Sequence, residues 1–308
     1  MTTEGAPFSP NELGPTSFSR HTKSLRHADA LDPASLEFPE LTQEGVKKAE
    51  ETAQTDLLVI LDRAPVGTVM FIGAKTDQER TGQTGEVYGN QLKKIAQERK
   101  DLIVLTKSDV DQVVRAQGTT KGIAAITDLI HKNPDKKIVI DYPLYIKQLG
   151  YEYQNRWTED GKKTEYFDEI LKKHNGNHAE GVHDWMQNNG VLTTEDGRTI
   201  EGHKPEDVAK QYLEGIKRVH DFAKGHIGDR PIIIHGVGHQ WDLDAVATYL
   251  AKGHVTYEDF LDVMGRSEED VNRHPIGESE VISDISIDPK TNQATVSYRG
   301  ESYQTKLN

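Results

Sequence analysis

Apolar residues in this chain gather into short runs separated by polar stretches of helical period. Thr68 to Ala74 (TVMFIGA), Leu102 to Thr106 (LIVLT), Ile138 to Asp141 (IVID) and Pro231 to His235 (PIIIH) are continuous, rich in β-branched residues and too short for helices. That pattern predicts strands buried on both faces, as in a parallel sheet. Between them, Val46, Ala49, Ala53 and Leu57 recur at helical spacing after the good N-cap Thr42, and Val208, Tyr212, Ile216 and Val219 do so after Pro205. Further helices are expected over about 77–98, 122–131 and 242–251, although Gly82, Gly85 and Gly89 weaken the first of these. Thr16 to Arg20 is a short strand candidate, and Val281 to Asp288 with Ala294 to Tyr298 alternate like a β-hairpin. The expected fold class is therefore α/β: a three-layer α/β/α sandwich with a mostly parallel central sheet and a C-terminal β-hairpin.

The two ends of this pattern and its middle differ from the rest. Residues 1–15 are rich in Gly, Pro, Ser and Thr without periodicity and read as a flexible leader. From about Tyr142 to His203 the chain turns polar and aromatic, with Trp157, Tyr166, Phe167 and Trp185 and two Glu-Asp-Gly turns at Glu159 and Glu195. This stretch reads as an inserted cap, and residues 16–308 as a single domain that carries it. No internal repeat is visible.

Charge and composition narrow the partners. With 50 acidic against 37 basic side chains the formal net charge is -13, which argues against a nucleic-acid or anionic-membrane surface. The longest apolar run, Leu57 to Ala74, is interrupted by Asp62, Arg63, Pro65 and Gly67, so it does not read as a membrane span. The first residues lack the layout of a signal peptide, and a cytoplasmic protein is expected. The chain has no cysteine, which leaves Ser, Thr, His, Lys, Tyr, Asp or Glu to serve as any nucleophile.

Functional side chains cluster where strands run out into loops, the place at which open parallel sheets bind ligands. These are Ser19-Arg20-His21-Thr22-Lys23-Ser24, Glu79-Arg80-Thr81-Gly82-Gln83-Thr84 and His235-Gly236-Val237-Gly238-His239. Arginine offers paired donors to phosphate oxygens and a neutral histidine can attack phosphorus, so a phosphoryl group is the natural guest. Gly236-Val237-Gly238 lacks the third glycine and the early position of a dinucleotide fingerprint. His235 and His239 have the spacing of a helical zinc motif, but the glycines between them and the missing glutamate oppose it. His174, His178, His183, His203, His220 and His226 are scattered, which leaves a metal-dependent hydrolase as a distant alternative.

Four of these features, in order, carry a family resemblance. Arg20-His21 after the first strand, Leu41-Thr42-Gln43-Glu44-Gly45 opening the first helix, Arg80 with Thr84, and His235-Gly236 after a late strand together resemble the histidine phosphatase (phosphoglycerate mutase-like) superfamily. The resemblance covers most of the chain in outline but not residues 142–203. It implies a phosphomonoester hydrolase, or a phosphomutase, acting on a small phosphorylated substrate. His21 would form a phosphohistidine, Arg20, Arg80 and His235 would hold the phosphoryl oxygens, and no metal or organic cofactor would be required. Thr22 stands where the family usually has glycine, and Arg26-His27 is a second, alternative pair without a preceding strand pattern. For the proton donor, Glu152 is the candidate after IVID, with Glu180, Asp184 and Asp242 as others. A noncatalytic phospho-ligand binding protein that keeps the arginine pocket is the alternative from another class.

Overall fold

The computed structural model describes residues 13–20, 41, 43–75, 79–141, 156–159, 162–264, 275–277, 280–288 and 290–307. Among the described residues the main sheet has eight strands, in the order β12-β11-β10-β1-β9-β2-β4-β3. Five of these run parallel: β1 (Leu13–Arg20), β9 (Ile232–Gly238), β2 (Val69–Lys75), β4 (Lys137–Asp141) and β3 (Leu102–Leu105). The other three, β10 (Val281–Ile287), β11 (Gln293–Tyr298) and β12 (Glu301–Lys306), extend it antiparallel beyond β1. The expected hairpin is thus part of a three-stranded meander whose last member, Glu301–Lys306, is too polar to announce itself.

Strand alternation splits the core into two layers. Met70, Ile72, Val139, Ile233 and Val237 face one side, under α1 (Gln43–Thr52), a π-helical turn at Ala53–Leu57, α2 (Leu58–Arg63) and α3 (Glu79–Ala96). Val69, Phe71, Ile138, Ile140, Ile232 and Ile234 face the other, where α8 (Pro205–Ile227) and α9 (Gln240–Lys252) pack. Helices on both faces of a mostly parallel sheet make the expected α/β/α sandwich.

Several boundaries differ from the sequence pattern. β1 begins at Leu13, so the last residues of the expected leader are strand. The link from β3 to β4 holds two helices, α4 (Lys107–Gln117) and α5 (Thr119–Lys132), where one was expected. A capping box starts α4: the Thr106 hydroxyl accepts from the Asp109 amide and the Asp109 carboxylate accepts from the Thr106 amide. Glycine in α3 is explained at Gly89, where a Cβ would lie 2.7 Å from Asp141 Oδ2. The largest difference for function is β9, which runs on through Gly236 and Val237 to Gly238 instead of stopping at His235.

Within the expected cap, two short hairpins sit at the Glu159 and Glu195 turns: β5 (Thr158–Glu159) with β6 (Lys162–Lys163), and β7 (Val191–Thr193) with β8 (Thr199–Glu201). Between them lie α6 (Glu165–Lys173) and α7 (His178–Gln187). None of these strands joins the main sheet. Trp157 and Trp185 nonetheless belong to the same apolar cluster as the sheet residues Ile232 and Ile234. Trp241, at the start of α9, stacks on Trp185 with centroids 5.6 Å apart and meets Trp157 edge-on at 5.0 Å. Trp157 and Trp185 thus pack against the N-terminal end of α9. A short helix, α10 (Tyr257–Met264), follows. Among the described residues no helix is long and apolar enough to cross a membrane.

Candidate active site

The C-terminal edge of the parallel strands is where the expected site residues would meet, and strand register fixes who stands beside whom. In the pairing of β1 with β9, Ser17 is opposite His235, Ser19 opposite Val237 and Arg20 opposite Gly238. In the pairing of β2 with β9, Ile72 is opposite His235 and Lys75 opposite Val237. Arg20 therefore closes β1 level with Gly238, the last residue of β9, and His239 is the next residue after that strand end. His239 takes the N-cap position of α9, with extended backbone (φ -107°, ψ 155°).

His235 lies elsewhere. It is three residues deeper than Gly238, or about 10 Å at roughly 3.3 Å per residue. It is fully buried among Met70, Ile72, Ile233 and Val237 on the α3 face, with the Tyr88 ring edge-on at 5.5 Å. Desolvation pushes its pKa down to about 3, so the ring is neutral throughout the ordinary pH range. In backbone register His235 stands opposite Ser17 and Arg20 opposite Gly238, on different rows of the sheet. His239, grouped in the sequence with the same loop but given no role, is the histidine at the edge. The signal that could have found it is parity: Ile233, His235 and Val237 continue one face of a strand, which moves the strand end to Gly238.

Gly238 is required where it stands. A Cβ there would come within 2.6 Å of the Tyr212 hydroxyl and 3.0 Å of Leu243 Cδ2, because α8 and α9 close over the strand end. On the neighbouring strand, β2 ends at Lys75 and α3 opens at Glu79, which puts Arg80 in the first turn of that helix at the same edge. Thr81 and Thr84 are fully buried on the helix's inner side. The Gln83 side chain accepts from the Leu41 amide at 2.8 Å, tying the start of the Leu-Thr-x-x-Gly segment to this turn. His21, Glu152 and the alternative pair Arg26-His27 lie outside the described residues.

The other carboxylates proposed as proton donors are committed. Asp242, 1% exposed in the first turn of α9, accepts from Arg156 Nη1 at 2.9 Å and from Trp157 Nε1 at 3.0 Å. Asp184 accepts from Lys173 Nζ and His174 Nε2, both at 2.8 Å. Burial works against its charge, but those two partners together hold its carboxyl below the usual range, the opposite of what a general acid needs. Glu180 is exposed on α7, 3.4 Å from His174 Nδ1. Among the described residues, no group of three or more His, Asp or Glu is placed to hold a metal ion.

Beside this edge, at the ends of β3 and β4, a cleft of about 660 Å³ opens between α3 and α4. It is lined by Asn90, Lys107, Gln112, Arg115 and Asp141, among others. Asp141, 2% exposed at the end of β4, accepts from the Lys107 amide at 3.2 Å. The Lys107 ammonium pairs with Glu86.

No family model and no curated protein matches the chain. Among solved structures it is similar to the native mycobacterial glucosyl-3-phosphoglycerate phosphatase, at 11% identity over 88% of this chain and 89% of that one, with a TM-score of 0.37. The same enzyme in complex with VO3 matches at 11% identity over 95% and 96% of the two chains, TM-score 0.37. An open reading frame product from Mycobacterium tuberculosis matches at 11% over 96% and 98%, again with a TM-score of 0.37.

Proposed function

We propose that this chain is a phosphomonoester hydrolase that works through a phosphohistidine at His21. The observation that carries the reading is the register of β1 against β9. It sets Arg20 beside Gly238, so that His239 follows β9 at the level where β1 ends, at an edge where Arg80 lies in the first turn of α3.

The chemistry follows from those positions. A nitrogen of His21 attacks phosphorus and the bond from phosphorus to the leaving oxygen breaks, with the charge spread over three equatorial oxygens. Arg20 and Arg80 supply paired donors to those oxygens. His239 takes the part that the motif order gave to His235, since His235 is three rows down in the core. The start of α9 adds the positive end of a helix dipole. Glu152, in the segment that follows β4, protonates the leaving alcohol, and water then releases phosphate from His21. The cleft at Lys107 and Asp141 is where the alcohol part of the substrate extends.

Hydrolysis of an aryl phosphate with excess chelator tests this. Activity persists under chelation and falls at least about 10³-fold in His21→Ala, the scale seen when a nucleophile is removed. Loss on chelation turns the reading to a metal-dependent hydrolase. Activity retained in His21→Ala and lost in His27→Ala moves the nucleophile to the second pair, and phosphate binding without turnover points to a binding protein.

A further inference from the structure

Three residues after His239, an ion pair is buried inside the first turn of α9. The side chains of Arg156 and Asp242 are 4% and 2% exposed and meet at 2.9 Å. The same Asp242 oxygen accepts from Trp157 Nε1, while Arg156 Nη2 donates to Gln211 Oε1 on α8 at 3.1 Å. Burying two charges is costly in general, and such pairs are often replaceable by apolar residues without loss of stability. Asp242 already has a neutral donor in Trp157, so its charge is not needed to satisfy that bond.

The position of the pair gives it a different consequence. A carboxylate in the first turn favours its own helix but opposes an anion at the same end, because both use the positive end of the dipole. The rise from His239 to Asp242 is about 4.5 Å at 1.5 Å per residue. With both side chains out of water, the charge of Asp242 is poorly screened. Tyr212, whose hydroxyl faces Gly238 at the strand end, registers both groups: burial raises its pKa most, Asp242 raises it further and Arg156 lowers it.

We infer that Arg156 is a positioning residue that cancels the Asp242 charge inside the first turn of α9, so that the site at Arg20 and His239 accepts a phosphoryl dianion. The inference rests on the reading of that site as a phosphoryl pocket. Arg156 touches neither substrate nor reacting atoms. It acts through Asp242 and through the potential at the helix start.

Calorimetric titration with inorganic phosphate tests it on the wild type and three variants. Asp242→Asn keeps the acceptor for Trp157 and leaves the Arg156 charge unopposed, so phosphate binds several-fold more tightly. Arg156→Met uncovers Asp242 and weakens phosphate binding by about tenfold or more, the scale of one unit charge several ångströms away at an effective dielectric near 20. The double variant, with neither charge, returns to within about threefold of wild type. Should Arg156→Met fail to fold, the comparison of Asp242→Asn with the double variant carries the test. Unchanged or weaker phosphate binding in Asp242→Asn overturns the inference, because a purely structural clasp would give that result. A wild-type chain that binds no phosphate overturns both this inference and the site on which it rests.

Discussion

Arg20 and Gly238 face each other across the parallel pairing of β1 and β9, and that one register sets His239, the residue after Gly238, at the level where β1 ends. Had β9 ended at His235, the site would lie three residues lower, inside the layer formed by Met70, Ile72, Tyr88 and Val237. Ending at Gly238, the strand delivers His239 to the edge and leaves His235 in the core.

The two histidines are therefore expected to respond differently to substitution. His239→Ala lowers kcat for an aryl phosphate by about 10²-fold or more, the cost of losing one donor to a developing anion, with little change in thermal stability. His235→Leu reshapes a fully buried site against Tyr88 and costs about 1–3 kcal/mol of stability, while the folded fraction keeps its kcat. Steady-state kinetics alongside urea unfolding separates the two.

Stability also depends on pH through His235. Its folded pKa is pushed to about 3 from the ordinary 6.5, so between those values the unfolded chain binds a proton that the folded chain does not. The stabilisation from keeping the ring neutral is complete above about pH 6.5 and is lost as pH falls, by about 1.4 kcal/mol per unit for this one group. Urea midpoints from pH 7 to pH 4.5 follow that slope in the wild type, and His235→Leu flattens it.

Close packing at the strand end makes Gly238 sensitive in a way that can be reversed. Gly238→Ala drives a methyl group against the Tyr212 hydroxyl and costs about 1–3 kcal/mol, with a matching fall in activity as β9 and the start of α9 shift. Tyr212→Phe removes the contacting oxygen and recovers part of the loss in the double variant. Recovery of neither stability nor activity would show that Leu243, 3.0 Å away, sets the limit instead.

Much of this arrangement is legible in the sequence because buried parallel strands are written in β-branched residues. Val69 to Ile72, Leu102 to Leu105, Ile138 to Ile140 and Ile232 to Ile234 are found where the apolar runs place them. The elements missed are the ones that face water. β12 is an edge strand of polar residues, and α4 opens on Lys107, Ser108 and Asp109, whose value lies in capping and ion pairing instead of burial. At the site, two glycines hid the end of β9, since glycine has low strand propensity and here serves close packing. The Arg156–Asp242 pair could not be read in advance at all, because 86 residues separate its partners and only the folded chain brings them together.

The proton donor has its own signature in leaving-group dependence. Glu152→Gln slows hydrolysis of an alkyl phosphate about 10²-fold or more, because a poor leaving group needs the proton, and slows p-nitrophenyl phosphate much less. Asp184→Asn, which alters a carboxylate already held ionised by Lys173 and His174, leaves that dependence unchanged. A Brønsted series of phosphomonoesters measures both.

The central claim is tested most directly by trapping the enzyme during turnover. Rapid alkaline quenching of the wild type with a radiolabelled phosphomonoester, followed by mass-spectrometric mapping, is predicted to give one acid-labile phosphoramidate on His21, absent in His21→Ala. Turnover without any covalent label, or a label on another residue, would contradict the account.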